Sequence, residues 1–215
     1  MKKIMTRLLS LVLLGAFIPS FVLAETWDLG KGDITVNATE KSQTVTQGEG
    51  APTEDKNPVI TSSGTETSNT ITIEAAAGAE ANVTLEDVNI NTGGAAITTS
   101  GEGNVNIELD GTNEVQSGTY HAGVEKKDNG TLTITDENKN GSLTATGGQR
   151  GAGIGGGYQA SSSGITISGG EVEANGGEWA AGIGGGYGGA GSDITVSGGE
   201  VTAKGGTLAA GIGGG

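Results

Sequence analysis

Apolar residues alternate singly with Thr, Ser, Asn or Glu in short runs along the chain, as in Val83-Thr-Leu85, Val105-Asn-Ile107, Leu132-Thr-Ile134 and Ile165-Thr-Ile167. Period-2 alternation over so few residues predicts half-buried strands. Gly-Gly pairs punctuate the runs, and no stretch after the first 24 residues carries a helical period with caps. The pattern also repeats at longer range. Gly151-Ala-Gly-Ile154-Gly-Gly-Gly157-Tyr158 returns as Ala181-Gly-Ile183-Gly-Gly-Gly186-Tyr187 and again as Ala210-Gly-Ile212-Gly-Gly-Gly215. Ile165 to Val172 matches Ile194 to Val201 at the same spacing of 29. Weaker copies run upstream, with steps of 27, 30, 29 and 29 along Ile97, Val124, Ile154, Ile183 and Ile212. The Leu132 unit carries a four-residue insertion before Leu143.

A short-strand unit that cannot bury its own apolar side must stack on its neighbours. With about three strands per turn, successive turns lie roughly 4.8 Å apart and equivalent residues form interior ladders. The expected ladders are Leu132/Ile165/Ile194, Ile134/Ile167/Val196, Leu143/Val172/Val201 and Ile154/Ile183/Ile212. Each fully buried aliphatic contributes roughly 1.5 to 3 kcal/mol. The predicted fold is all-β: a single-stranded, right-handed parallel β-helix of about five clear coils over 71–215. Gly would supply the positive φ where the chain turns. Residues 25–70, rich in Thr, Ser and Glu and holding Pro52 and Pro58, are expected to give a lead-in strand and a polar loop.

Composition then becomes interpretable. The chain has 215 residues, 43 of them Gly, and no Cys. Without Cys, and with one His, neither a disulfide framework nor a structural zinc site can be assembled. Lys2, Lys3 and Arg7 precede an apolar run, and Val22-Leu23-Ala24 offers the small residues of a cleavage site, so residues 1–24 read as a signal peptide and the remainder as secreted or on the cell surface. Gly15 and Pro19 interrupt that run, which makes it a poor membrane span. Both Phe and both Met lie within residues 1–24. After Ala24 there remain eight basic and 25 acidic residues, a net charge of −17. Such a charge excludes nucleic acid and anionic membrane as natural partners.

The Gly-Ala-Gly-Ile-Gly-Gly-Gly and Gly-Ile-Thr-Ile-Ser-Gly-Gly-Glu-Val segments resemble the Gly-rich repeats of right-handed parallel β-helix proteins of bacterial cell surfaces, with the pectin-lyase-like fold. The resemblance covers 71–215 and, more loosely, the Trp27 to Val36 opening. It implies a carbohydrate-binding or adhesin-like role, with a polysaccharide or host cell-surface glycan as partner. Fold alone does not transfer function, since the wider family also includes polysaccharide lyases and hydrolases. A lyase of that family would use calcium and a cationic base; after Ala24 the chain has one Arg, Arg150, with Lys126 and Lys127 one coil upstream. A hydrolase of that family would carry an Asp pair and Gly-His-Gly, and neither is present. The only His, His121, is read as an exposed corner residue. A non-catalytic module is therefore expected, with a polysaccharide lyase or hydrolase, or a plain structural spacer, as alternatives.

Other motifs reduce to bland readings. Gly151, Gly153 and Gly156 satisfy G-x-G-x-x-G without the strand-to-helix context of dinucleotide binding. Asp136-Glu-Asn138-Lys-Asn140-Gly141 imitates the start of a calcium loop, but Gly147 stands where the closing Glu belongs. Gly188 to Asp193 is one imperfect copy of a calcium-binding nonapeptide. No catalytic residue and no metal ligand is assigned, and calcium is the one cofactor left open. The Thr133/Thr166/Thr195 rank is too narrow for an ice-binding surface. Register should stack Tyr158 on Tyr187, while Trp179 occupies the place held by Arg150 and Leu208 in adjacent coils. Tyr158, Tyr187 and Trp179 are thus the candidate ligand-binding residues, since an aromatic face with a polar rim suits a sugar ring. The chain stops inside a repeat whose earlier copies continue into Tyr, so it reads as truncated, with further domains expected after Gly215.

Overall fold

A computed structural model describes residues 24–127 and 129–215, so residues 1–23 of the expected signal peptide lie outside the described residues. The alternating runs are strands, and they form three sheets wound as a right-handed parallel β-helix. The first sheet stacks Thr26–Asp28, Val59–Thr61, Glu80–Glu86, Asn104–Asp110, Leu132–Thr135, Ile165–Ile167 and Ile194–Val196, all parallel. The second stacks Asn89–Asn91, Thr112–Gln116, Ser142–Thr146, Glu171–Asn175 and Glu200–Lys204. In the third, Ile34–Ala38, Ile71–Ala75, Ile97–Gly101, Val124–Lys126, Ile154–Gly155, Ile183–Gly184 and Ile212–Gly213 follow in parallel. Among the described residues there is no α-helix, only a 3-10 turn at Leu29–Lys31, and no helix long and apolar enough to cross a membrane.

The predicted ladders are in register: Leu132↔Ile165↔Ile194, Ile134↔Ile167↔Val196, Leu143↔Val172↔Val201 and Ile154↔Ile183↔Ile212. Side chains on successive strand positions point to opposite faces, so the apolar member of each pair fills the interior and its polar neighbour faces out. Farther upstream the register differs from the sequence reading. Val83 stands opposite Ile107 rather than Val105, and Leu85 opposite Leu109. The strands Glu80–Glu86 and Asn104–Asp110 are seven residues long, each carries three inward positions, and all three are matched, with Ala81 opposite Val105.

The stack also starts before residue 71. Ile34–Ala38 pairs in parallel with Ile71–Ala75, and its other edge is covered antiparallel by Gln43–Gln47 and then Thr53–Glu54. Where the sequence suggests a loose polar loop, the chain makes this small meander, which shields an otherwise open strand edge. The Gln43 side chain acts like a piece of strand: its amide nitrogen donates to Asn82 O at 2.9 Å while its Oε1 accepts from Asn82 N at 2.9 Å.

Glycine serves two separate purposes. Gly155, Gly184 and Gly213 have φ near +132°, the turning role expected of them. Gly118, Gly148, Gly177 and Gly206 form a column that needs glycine for closeness instead. A Cβ on any of the four would stand within 2 Å of the carbonyl oxygen of the glycine one coil earlier, starting from Gly93. Backbone therefore rests on backbone at this corner, which fixes the position of whatever lies two residues farther on.

Candidate functional site

Two residues beyond that glycine column stand Tyr120, Arg150, Trp179 and Leu208, one per coil. Beside them runs a second column. The Tyr158 amide donates to Tyr120 O at 2.8 Å and the Tyr187 amide to Arg150 O at 3.0 Å, which sets each tyrosine next to the residue of the preceding coil. Tyr158 and Tyr187 stack with centroids 5.8 Å apart and planes within 2°. Trp179 meets Tyr187 edge-on at 5.8 Å, and Tyr120 leans against Tyr158 at 5.4 Å. The three rings singled out from the sequence thus come together, joined by Tyr120 and, at their centre, Arg150. The Arg150 guanidinium carbon lies 5.1 to 5.7 Å from all four ring centroids, within range of cation–π attraction. Because Tyr158 and Tyr187 turn their faces to each other, they offer a ligand edge and hydroxyl; Tyr120 is the most exposed ring, at 52%.

Tyr120 and Tyr158 also border a cleft of about 560 Å³ that continues over His121, Glu125, Lys126 and Lys127. Strand Val124–Lys126 is buried at all three positions, so Glu125 breaks the in–out alternation. Its neighbours in register, Thr98 and Gly155, are small. A Cβ at Gly157 would come within 3.0 Å of Glu125 Oε2, so glycine in the next coil makes room for the carboxylate. Burial of a carboxylate requires partners, and Glu125 has three. Oε2 is 2.8 Å from His121 Nδ1 and accepts from the Ala122 amide at 3.1 Å, while Lys127 Nζ reaches Oε1 at 2.7 Å. His121, expected as an exposed corner residue, has a side chain only 36% exposed, because Glu125 draws the ring down into the cleft.

The first sheet carries a second, polar groove, with Glu80, Asn82, Asn106, Glu108 and Glu137 along it. Partial burial pushes the Glu108 carboxyl above its ordinary value, offset in part by the Glu137 amide and reinforced by Glu137, Asp136 and Asp110. The Asp136–Gly141 insertion lies at its end and closes on itself: Asp136 accepts from the Asn140 amide at 3.2 Å, and Asn140 Nδ2 donates to Asp110 at 2.7 Å. Among the described residues no three His, Asp or Glu side chains are grouped to hold a metal ion.

The family described as Beta helix repeat matches residues 139–158, 165–187 and 194–215. Each matched segment takes in a corner glycine pair, a two-residue strand of the third sheet or both. The chain carries β-helix repeats. No curated protein and no solved structure matches it. The aromatic ridge is built by these β-helix repeats, since Tyr158 and Trp179–Tyr187 lie inside the matched segments, whereas Tyr120 and the His121–Glu125 pair come from the coil before them.

What the sequence reading missed has identifiable causes. Tyr120 sits in a coil of irregular length, and its contact with Tyr158 crosses between columns, so no spacing of 29 reveals it. Glu125 looks like one more outward polar residue. Arg150 was visible as the one Arg after Ala24 and as the register partner of Trp179, but not as the centre of the rings.

Proposed function

We propose that the chain is a non-catalytic, secreted or cell-surface β-helix module that binds polysaccharide along the ridge and cleft at Tyr120, Tyr158, Tyr187 and Trp179. The observation that carries this reading is the continuity of half-exposed rings with a polar cleft. Tyr158 and Tyr187 are 36% and 41% exposed, and the cleft bordered by Tyr120 and Tyr158 presents the polar groups of His121 and Lys127 above the buried Glu125 and Lys126. A sugar presents apolar C–H faces and polar hydroxyl edges; the exposed Tyr120 ring complements the first, and the tyrosine hydroxyls with His121 and Lys127 complement the second. The rings run along the coil axis, which suits a linear chain more than a single sugar. Glu125 is the cleft carboxylate among the described residues, and its oxygens are taken up by His121, Ala122 and Lys127. That favours binding over glycosidic cleavage, which commonly needs two carboxyl groups.

Binding of the chain from residue 25 to a glycan array, followed by calorimetry on the best hit with and without EDTA, tests the reading. Tyr120→Ala/Tyr158→Ala is expected to weaken affinity on the order of tenfold or more while the protein still melts cooperatively. Absence of any glycan ligand would sink it. A second reading, cleavage of a polysaccharide, is favoured by the His121–Glu125 pair, in which the carboxylate orients an imidazole toward a cleft. Release of unsaturated or reducing sugar ends by wild type, abolished in His121→Ala, would replace the first reading with this one.

A further inference from the structure

The chain holds Arg150 in an unusual balance. Its guanidinium is surrounded by Tyr120, Tyr158, Trp179 and Tyr187 at 5.1 to 5.7 Å. Its Nε is buried and has no hydrogen-bond acceptor. Among the described residues no carboxylate comes within ion-pair distance of it, whereas Lys31, Lys127 and Lys204 are each paired with an acid. Lys41, Lys56 and Lys139 also lack an acid within that distance, but among the described residues Arg150 is the cation held over aromatic rings with a buried donor left without an acceptor. Aromatic faces satisfy the flat sides of a guanidinium but not its in-plane N–H edges, which present a fork of donors matching a carboxylate or sulfate. Lys126 and Lys127 line the cleft bordered by the same Tyr120 and Tyr158. Three of the eight cations therefore stand in or beside this cleft, where Glu125 is the lining carboxylate among the described residues and is already paired with Lys127.

We propose that Arg150 is an anion-binding centre and that the ligand of this ridge is an acidic glycan. A carboxylate or sulfate group of the ligand lies on the open edge of the guanidinium, and its sugar ring lies in the Tyr120–Tyr158 cleft. This inference rests on the polysaccharide reading and narrows its ligand class. The rings hold the guanidinium in place before the ligand arrives, so little side-chain freedom is lost on binding. Arginine suits this position better than lysine, because its planar charge stacks on rings while its edge remains able to make two parallel hydrogen bonds.

The test is a titration of the full chain after residue 24 with three oligosaccharides of one length: a uronic-acid oligomer, its carboxyl-reduced neutral counterpart, and a sulfated derivative of the neutral one. At least one acidic oligomer is expected to bind about tenfold or more tighter than the neutral one, and its advantage should shrink as salt is raised. Carboxylated and sulfated arms tell which anion is taken, and preference for either supports the inference. Arg150→Gln should abolish the preference, so that the acidic and neutral oligomers bind alike; Arg150→Lys should recover only part. Equal or tighter binding of the neutral oligomer to wild type would overturn the inference while leaving polysaccharide binding intact, and needs no variant to fold. Retention of the preference in a folded Arg150→Gln would overturn it too. Binding of none of the three, with no hit on a broad array, would instead remove the polysaccharide reading beneath it.

Discussion

The coils before and after residue 120 are held together differently. In the earlier ones, long strands carry the stack: Ile71–Ala75 and Ile97–Gly101 in the third sheet are five residues each, and Glu80–Glu86 and Asn104–Asp110 in the first are seven. In the later ones the third sheet shrinks to two-residue strands, Ile154–Gly155, Ile183–Gly184 and Ile212–Gly213, and glycine-rich corners take over. Of the 69 residues from Gly147 onward, 27 are Gly, so little side chain remains there to define a surface. The ring cluster is built on that glycine-rich part. Long strands fix every residue through the ladder, whereas a glycine corner fixes one point by backbone contact and lets a large side chain two residues away stack on its counterpart. Glycine here acts as a positioning device for the few rings the chain has.

The largest test of this contrast compares two glycines of one column. At Gly148 a Cβ would stand 1.9 Å from Gly118 O, while at Gly93 it would meet nothing within 4 Å. Gly148→Ala is expected to cost about 3 kcal/mol in urea unfolding, because the obstacle is backbone and cannot turn aside. Gly93→Ala should stay within about 0.5 kcal/mol of wild type. Equal costs at the two sites would mean that closeness is not why the later corners are glycine.

A smaller effect is expected at Asn113, where the two regions join. Leu143, Val172 and Val201 continue a column whose earlier member is Asn113, fully buried. Its Oδ1 accepts from the Val88 amide at 3.0 Å, and its Nδ2 donates to Asp110 O and Ser142 O at 3.0 Å each. Asn113→Leu would complete the aliphatic column, yet it should cost about 2 kcal/mol, because a buried amide and two carbonyls lose their side-chain partner. A stabilised variant would show that interior volume outweighs those hydrogen bonds, and that the earlier coils resemble the later ones more closely than their strands suggest.

The same contrast governs how much was legible in the sequence. Where coils repeat every 29 residues, alternation placed the four larger aliphatic ladders, though not the alanine ladder Ala145/Ala174/Ala203 beside them, and the Tyr158–Tyr187 stack followed from spacing alone. Where coil length varies, register slips: Val83 pairs with Ile107 because long strands carry a third inward position that a two-residue motif does not count. The meander at Gln43–Gln47 and Thr53–Glu54 was hidden because it pairs antiparallel and has no repeat copy. At the ridge, the rings were legible as residue types and Arg150 as a register position. Their convergence was not, since it depends on Tyr158 lying beside the coil before its own. Glu125 was hidden by its neighbour, because the space that lets it turn inward comes from Gly155 and Gly157 one coil later.

The smallest expected effects concern outward carboxylates and have opposite signs in the two regions. Glu108, in the polar groove of the long-strand part, has its pKa raised by partial burial and by repulsion from Glu137, Asp136 and Asp110. A carboxyl group that holds its proton more tightly when folded contributes stability below the ordinary Glu range. That contribution is lost as pH rises through the raised folded pKa. Glu108→Gln keeps an oxygen for the Glu137 amide, which Glu108 Oε1 now accepts at 2.7 Å, and removes the charge. Its Tm should therefore rise slightly at about pH 7 and match wild type near pH 3, below the ordinary Glu value. Glu173, in the glycine-rich part, is shifted the other way by its hydrogen bond from Lys204. It favours folding above the ordinary Glu value and loses that as pH falls through its lowered one. Its side chain is 41% exposed and its partner lysine more so, so solvent screens the pair and it should give a smaller change, with Glu173→Gln melting marginally lower at about pH 7 and level with wild type at low pH. A fall in Tm for Glu108→Gln at neutral pH would mean that the bond to the Glu137 amide needs the full negative charge, and that this groove holds its carboxylates as firmly as the ridge holds Glu125.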